Sequence, residues 1–175
     1  WNIEFLYTYT DKEKDILGKF SSSLFTLNTF YIANKLVVGR KLDQDVEKFL
    51  ERFWKLVVDH MKQWQELQHR EITKVDLREN FIATQSIVIQ ALGRVGNYYY
   101  TSNDSMEEGL VKLEEINWSR NAKQWYMRAV GKNGRIITNK KAALLISNVI
   151  KNKIGISLTP EEQTAEDALV KTVKE

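Results

Sequence analysis

Hydrophobic residues recur along this chain with the period of helices far more often than with that of strands. Between Asp43 and Leu67, Val46, Phe49, Leu50, Phe53, Trp54, Val57, Met61, Trp64 and Leu67 return every three or four positions, while Lys48, Glu51, Arg52, Lys55, Asp59 and Lys62 fill the other sides. The spacing predicts one amphipathic helix of roughly 36 Å with Asp43 as its N-cap. A second helix is predicted over Ser22–Val38, opened by a hydroxyl of Ser21, Ser22 or Ser23 and stopped by Gly39. Residues Phe81–Tyr100 are apolar nearly all round, which places that helix in the middle of a bundle. Its Gly93 and Gly96 suit a close helix–helix approach rather than a nucleotide loop, since no strand pattern precedes them.

Capping signals divide the rest. Thr73 with Asp76, and Ser105 with Glu108, open further helices, the second reaching about Ile116. A short helix is predicted over Ser119–Arg128, with Trp118 and Trp125 on one side. The turn Gly131–Gly134 joins two short strands around Ala129–Val130 and Ile136–Ile137. Thr138 caps a helix to about Lys153, which Gly155 ends, and Thr159-Pro160-Glu161-Glu162 starts the last helix, whose end from Ala165 is expected to fray. Asp11–Phe20 reads as a short helix or turn, and residues 1–9 alternate weakly, as a strand would. The fold class is therefore all-α, a single domain over residues 1–175 built as a bundle of six to eight helices with at most a minor strand pair.

One proline and eight glycines in 175 residues agree with long helices, and 43% hydrophobic residues suffice for a core. The absence of cysteine removes disulfides, thiolate metal sites and cysteine nucleophiles, and fits a reducing, cytoplasmic setting. No apolar run is long enough to span a bilayer, so a soluble protein away from the membrane is expected. The start at Trp1 is read as that of a fragment of a longer protein.

Charge changes the picture more than composition does. The net charge is only +3, yet nine of the 26 Lys and Arg residues fall between Ser119 and Lys153, where there is no Asp or Glu. On the helix after Thr138, Ala143, Ile146, Val149 and Ile150 are expected inside, and Lys140, Lys141, Ser147, Asn148, Lys151 and Asn152 outside. Lys132, Asn133 and Arg135 precede that helix N-terminus, where free N–H groups and the helix dipole favour a phosphate. Lys132, Arg135, Lys140, Lys141 and Lys151 are thus the candidate nucleic-acid-binding residues, through the phosphate backbone. The competing reading is a solvated face balanced by acidic helices. No catalytic motif, cofactor loop or metal set is present: His60 and His69 do not share a helix face, and Glu114-Glu115 and Glu161-Glu162 diverge as neighbours. Thr84, Gln85, Ser86 and Gln90 interrupt the most apolar helix as a buried polar network or a groove.

The stretches FSSSLFTLNTFY (20–31), LRENFIATQSIVIQALGRVG (77–96), INWSRNAKQW (116–125), GRIITNKKAA (134–143) and KNKIGISLTPEEQ (151–163) together resemble the C-terminal helical part of the DndB family, within the DGQHR-domain family. That resemblance implies a role with the phosphorothioate DNA modification system, in DNA binding and negative regulation of the modification genes. The DGQHR motif is missing and would lie upstream of Trp1, so no functional residue of the family transfers to this chain. Two alternatives stand beside DNA association. One is a structural domain for self-association or docking of other sulfur-modification proteins, through an apolar face such as the Trp54 and Trp64 side of the long helix. The other is the helical part of an enzyme completed upstream.

Overall fold

The computed structural model describes residues 2–40 and 45–174, and Asp43, the expected N-cap, lies outside them. The chain is a helical bundle. Among the described residues there are nine α-helices and one two-stranded sheet, one helix more than the periodicity predicts.

The N-terminal residues are a helix, α1 (Glu4–Tyr9), not a strand. Six residues are too few for a helix to hold by itself in water, so tertiary packing maintains it. Phe5 and Leu6 are buried, and the Phe5 ring stacks on Trp64 with centroids 5.3 Å apart. Beyond it, β1 (Thr10–Asp11) pairs in parallel with β2 (Phe25–Thr26), Thr10 opposite Phe25. The intervening loop begins with a turn in which the Asp11 carboxylate accepts from the N–H groups of Glu13 and Lys14.

Helix α2 (Leu27–Val38) starts five residues later than predicted, because Thr26 rather than a serine supplies the cap, accepting from Thr29 N–H at 3.2 Å. The serine segment serves instead as a ledge: the carbonyls of Ser21 and Ser23 accept from the Arg78 guanidinium, and that of Ser22 from Lys74. Gly39 ends α2 at φ +63°, as predicted, its N–H donating to Lys35.

The long helix is two helices, α3 (Val46–His60) and α4 (Lys62–Gln68), separated by Met61 at ψ 96°. The hydrophobic period runs through the break, which is why it cannot be read in the sequence. Redirecting the chain there brings Trp64 into contact with Phe5 and Phe25, while the Gln65 side-chain amide donates to the freed Val58 carbonyl at 2.6 Å. Trp54 and Trp64 are 1% and 0% exposed, so the face named above for docking is core.

Helix α5 (Lys74–Asn80) opens with the expected Thr73–Asp76 capping box. Helix α6 (Ser86–Thr101) is the buried centre of the bundle, lying between α2 and a later helix, α8 (Lys140–Ile154). Thr84 and Gln85 precede α6; Thr84 is buried and Ser86 exposed, so they do not share one face. Helix α7 (Met106–Leu110), capped by Ser105, runs on as a 3-10 turn to Glu115.

The helix predicted over Ser119–Arg128 is reduced to a 3-10 turn at Lys123–Trp125. Backbone bonds to the segment after α5, from Ile82 N–H to Trp118 and from Arg120 N–H to Asn80, hold its start extended. Trp118 and Trp125 nevertheless stack, 5.3 Å apart and 11° from parallel. The turn at Gly131–Gly134 joins an antiparallel bridge between Val130 and Ile136. Asn139, not Thr138, caps α8, accepting from Ala142 N–H at 2.8 Å, and Gly155 ends it at φ +85°. The final helix, α9 (Pro160–Lys174), continues where fraying was expected.

Gly93 sets how closely α6 and α2 approach. A Cβ there would stand 2.6 Å from the Ala33 carbonyl oxygen, and one at Gly96 2.9 Å from Phe53 and Val37 side-chain atoms. Backbone cannot rotate out of the way, so Gly93→Ala should lose about 1–2 kcal/mol net despite the better helix propensity of alanine. Urea unfolding checks this; a midpoint at or above the parent's is incompatible with the close approach.

Candidate phosphate-binding surface

The middle of the basic segment is a hydrogen-bonded turn. Gly131 N–H donates to the Arg135 carbonyl at 2.8 Å, and Arg135 N–H to the Asn133 side chain at 3.0 Å. Lys132, Arg135, Lys140 and Lys141 are all exposed on this turn and the first turn of α8. The first turn of α8 carries no acidic residue, so its free N–H groups and dipole add to the same positive field. Among the described residues none of these four side chains is in an ion pair. Several other surface cations are matched, as Lys48 is with Asp45, Lys55 with Asp59, and Arg52 with Glu107.

Lys151 differs from the four. It is 6% exposed, and its ammonium lies 2.7 Å from Glu162 of α9. Ser147 and Asn148, expected outside, are fully buried. The physical reason is α9, which covers this side of the C-terminal half of α8. The carboxylates missing from the segment itself arrive from elsewhere: Glu162 meets Lys151 and Arg94, Glu166 meets Arg128, and Glu115 meets Lys153. Acidic residues thus meet Arg128, Lys151 and Lys153, and among the described residues none is ion-paired with Lys132, Arg135, Lys140 or Lys141.

Glu162 also completes the cap of α9, accepting from Thr159 N–H at 2.9 Å while the Thr159 hydroxyl accepts from Glu162 N–H. Burial pushes its carboxyl pKa up, but the Lys151 hydrogen bond, the Thr159 N–H and the charges of Lys151 and Arg94 outweigh that and hold it below the ordinary value.

Nothing in this arrangement resembles a catalytic or metal centre. Among the described residues no three His, Asp or Glu side chains come together as metal ligands. His60 Nδ1 is 2.6 Å from the Glu114 carboxylate, and His69 is exposed. Two hollows lie away from the basic turn, one of about 410 Å³ beside Asn34 and Trp54 and another of about 460 Å³ beside Arg52 and Tyr99. Among the described residues no helix is long and apolar enough to cross a membrane.

A family model described as "DndB: DNA-sulfur modification-associated" matches residues 2–157. The chain belongs to the DndB family. No curated protein and no solved structure matches it. Membership ties the chain to DNA sulfur modification, and its helical bundle is the architecture that the resemblance implied. Several of the stretches that carried the resemblance hold structural contacts in this DndB-family chain. In INWSRNAKQW the Asn117 carbonyl accepts from the Trp125 indole N–H at 2.7 Å, and the two tryptophans stack. In ALGRVG the glycines permit helix contact, and Arg94 between them reaches Glu162 of LTPEE, beyond the matched residues. The sequence pattern does not single out Arg94, Arg128 and Asn148 as partners of α9. An arginine in an otherwise apolar helix is the one signal it offers.

Because the Glu162 pKa is lower folded than unfolded, its contribution is fully present above about 4.5, the ordinary value, and is lost as pH falls through the lowered folded value. The stability difference between the parent and Glu162→Gln should therefore shrink as pH falls below that value, because a protonated carboxyl resembles the amide. Urea midpoints from neutral to acid pH read this, and a gap that stays constant throughout would falsify the assignment.

Proposed function

We propose that this DndB-family domain holds DNA by its phosphates, through Lys132, Arg135, Lys140 and Lys141, within the cytoplasmic regulation of DNA sulfur modification. One observation carries the reading: four exposed cations without ion-pair partners among the described residues lie on the turn before α8 and on the carboxylate-free first turn of α8 itself. Such a surface neutralises backbone charge and offers no geometry for reading bases, so binding is expected to be tolerant of sequence. Lys151, buried against Glu162, is not among the surface contacts.

A second reading, docking of other sulfur-modification proteins or self-association, draws on a different surface. Leu27 and Tyr31, one turn apart on α2, are 45% and 61% exposed, and Ile16 and Phe20 in the loop before it are each 86% exposed. Lys35 lies over the Tyr31 ring at 5.4 Å and Lys19 over the Phe20 ring at 5.8 Å, so aromatic and aliphatic groups there are interleaved with cations.

Replacing Lys140 and Lys141 by Ala should weaken binding to all duplex sequences about equally. The log–log salt slope should fall by about 0.9 for each phosphate that is no longer neutralised. Lys48→Ala with Lys55→Ala removes the same charge from α3 and should change little. Titrations at matched ionic strength on folded protein decide it, and equal binding by both double variants and the parent rules the phosphate role out.

A further inference from the structure

The contact between α9 and the body is unusual in what it buries. Of its 15 residues, those buried are Glu162, Glu166 and Leu169, while Val170 and Val173 remain 45% and 47% exposed. A helix of this length is marginal alone, and a single leucine is a weak apolar anchor. Its attachment therefore rests mainly on carboxylates.

Those carboxylates enter a cleft built for anions. Arg94 of α6, Arg128 of the loop before α8 and Lys151 of α8 converge there from separate parts of the chain. Asn148 donates from its amide to the Glu162 carbonyl at 3.1 Å and to the Glu166 carboxylate at 3.2 Å. Three cations face two carboxylates, so the cleft keeps excess positive charge with α9 in place. Its donors are also incompletely used: the buried Nε of Arg94 and Nε of Arg128 have no acceptor among the described residues. A guanidinium presents the same fork to a phosphate as to a carboxylate.

The cleft is continuous with the exposed basic surface. Lys140 and Lys151 are 11 positions apart on α8, about three turns and roughly 16 Å, and so lie on nearly the same side of the helix. The N-terminal part of that side is open, and the C-terminal part is under α9.

We propose that the cleft of Arg94, Arg128, Asn148 and Lys151 is a second phosphate-binding site for a DNA backbone, held closed by α9, whose Glu162 and Glu166 stand where phosphate oxygens bind. A backbone already seated on Lys140 and Lys141 displaces α9 and extends along α8. Ion pairs buried this way add little net stability, because the desolvation cost nearly cancels the attraction, so an incoming phosphodiester exchanges one set of acceptors for another. The choice of DNA as occupant rests on the function proposed above, whereas the site itself rests on the geometry of the cleft.

The test uses the full chain and a short DNA duplex. Glu162→Gln with Glu166→Gln weakens the strap while keeping hydrogen-bonding side chains. It should tighten duplex binding and steepen the salt slope by about 0.9 for each phosphate newly neutralised. The matched pair Glu161→Gln with Asp167→Asn removes the same charge from the exposed side of α9 and should not reproduce the tighter binding. Adding Arg94→Ala to the first pair should abolish it. On the parent chain, backbone amides of residues 161–174 should exchange faster when the duplex is added, a readout that does not depend on any variant folding. Equal tightening by the two carboxylate pairs, or α9 amides that exchange no faster with duplex bound, overturns the proposal. If Lys140→Ala with Lys141→Ala leaves binding intact while the Glu162 and Glu166 pair still tightens it, the surface reading fails and the cleft stands. If the surface lysines matter but no tightening follows, the cleft fails alone.

Discussion

The approach of α6 to the backbone of α2 at Gly93 is the constraint on which the rest of the bundle hangs. With no side chain at that position, the two helices meet at backbone distance, and the Ala33 carbonyl occupies the space a Cβ would need. Helix α6 is thereby buried between α2 and α8, and residues from Ile87 to Tyr99 contribute to the core on several sides. Arg94 leaves this buried helix at the level of α9, where it meets Glu162. The placement of a charge at the cleft is thus a consequence of how the central helix is seated.

A chain of aromatic contacts organises the N-terminal half. Phe5, Trp64, Phe25, Phe30, Trp54 and Phe53 follow one another with ring centroids 5.0 to 5.4 Å apart. Rings of this kind bury much area and favour tilted or offset contact, and the network draws α1, β2, α2, α3 and α4 together. It explains both departures there: α1 is helical because Phe5 must reach Trp64, and the long helix breaks at Met61 because Trp64 must turn toward Phe5 and Phe25.

Electrostatics divides the basic segment in two. Along the chain Ser119–Lys153 is free of carboxylates, but folding brings Glu115, Glu162 and Glu166 against cations of that segment. The cations of the turn and of the first turn of α8 stay exposed. A charge run thus records what a segment carries, whereas its availability depends on what packs over it. The same distinction runs through the stretches resembling the DndB family: some of their residues hold tryptophans, glycines and caps in place, whereas Arg135, Lys140 and Lys141 of GRIITNKKAA stay exposed.

By itself the sequence determined the helical class, the burial of α6, the glycine approach, the capping box at Thr73 and the stop signals at Gly39 and Gly155, because each depends on neighbours within about one or two turns. It also located the four cations of the turn and the first turn of α8. Tertiary structure alone decided that residues 4–9 form a helix, that Met61 breaks a continuous hydrophobic period and that residues 119–128 form turns and one short 3-10 segment rather than an α-helix. It alone decided that Asn148 and Lys151 are buried. Lys151 lies 11 residues from Glu162 in the sequence, and Arg94 is far more distant from it. Their pairing depends on α9 folding back over α8, and no local periodicity encodes that return, because the face α9 buries is mostly charged rather than apolar.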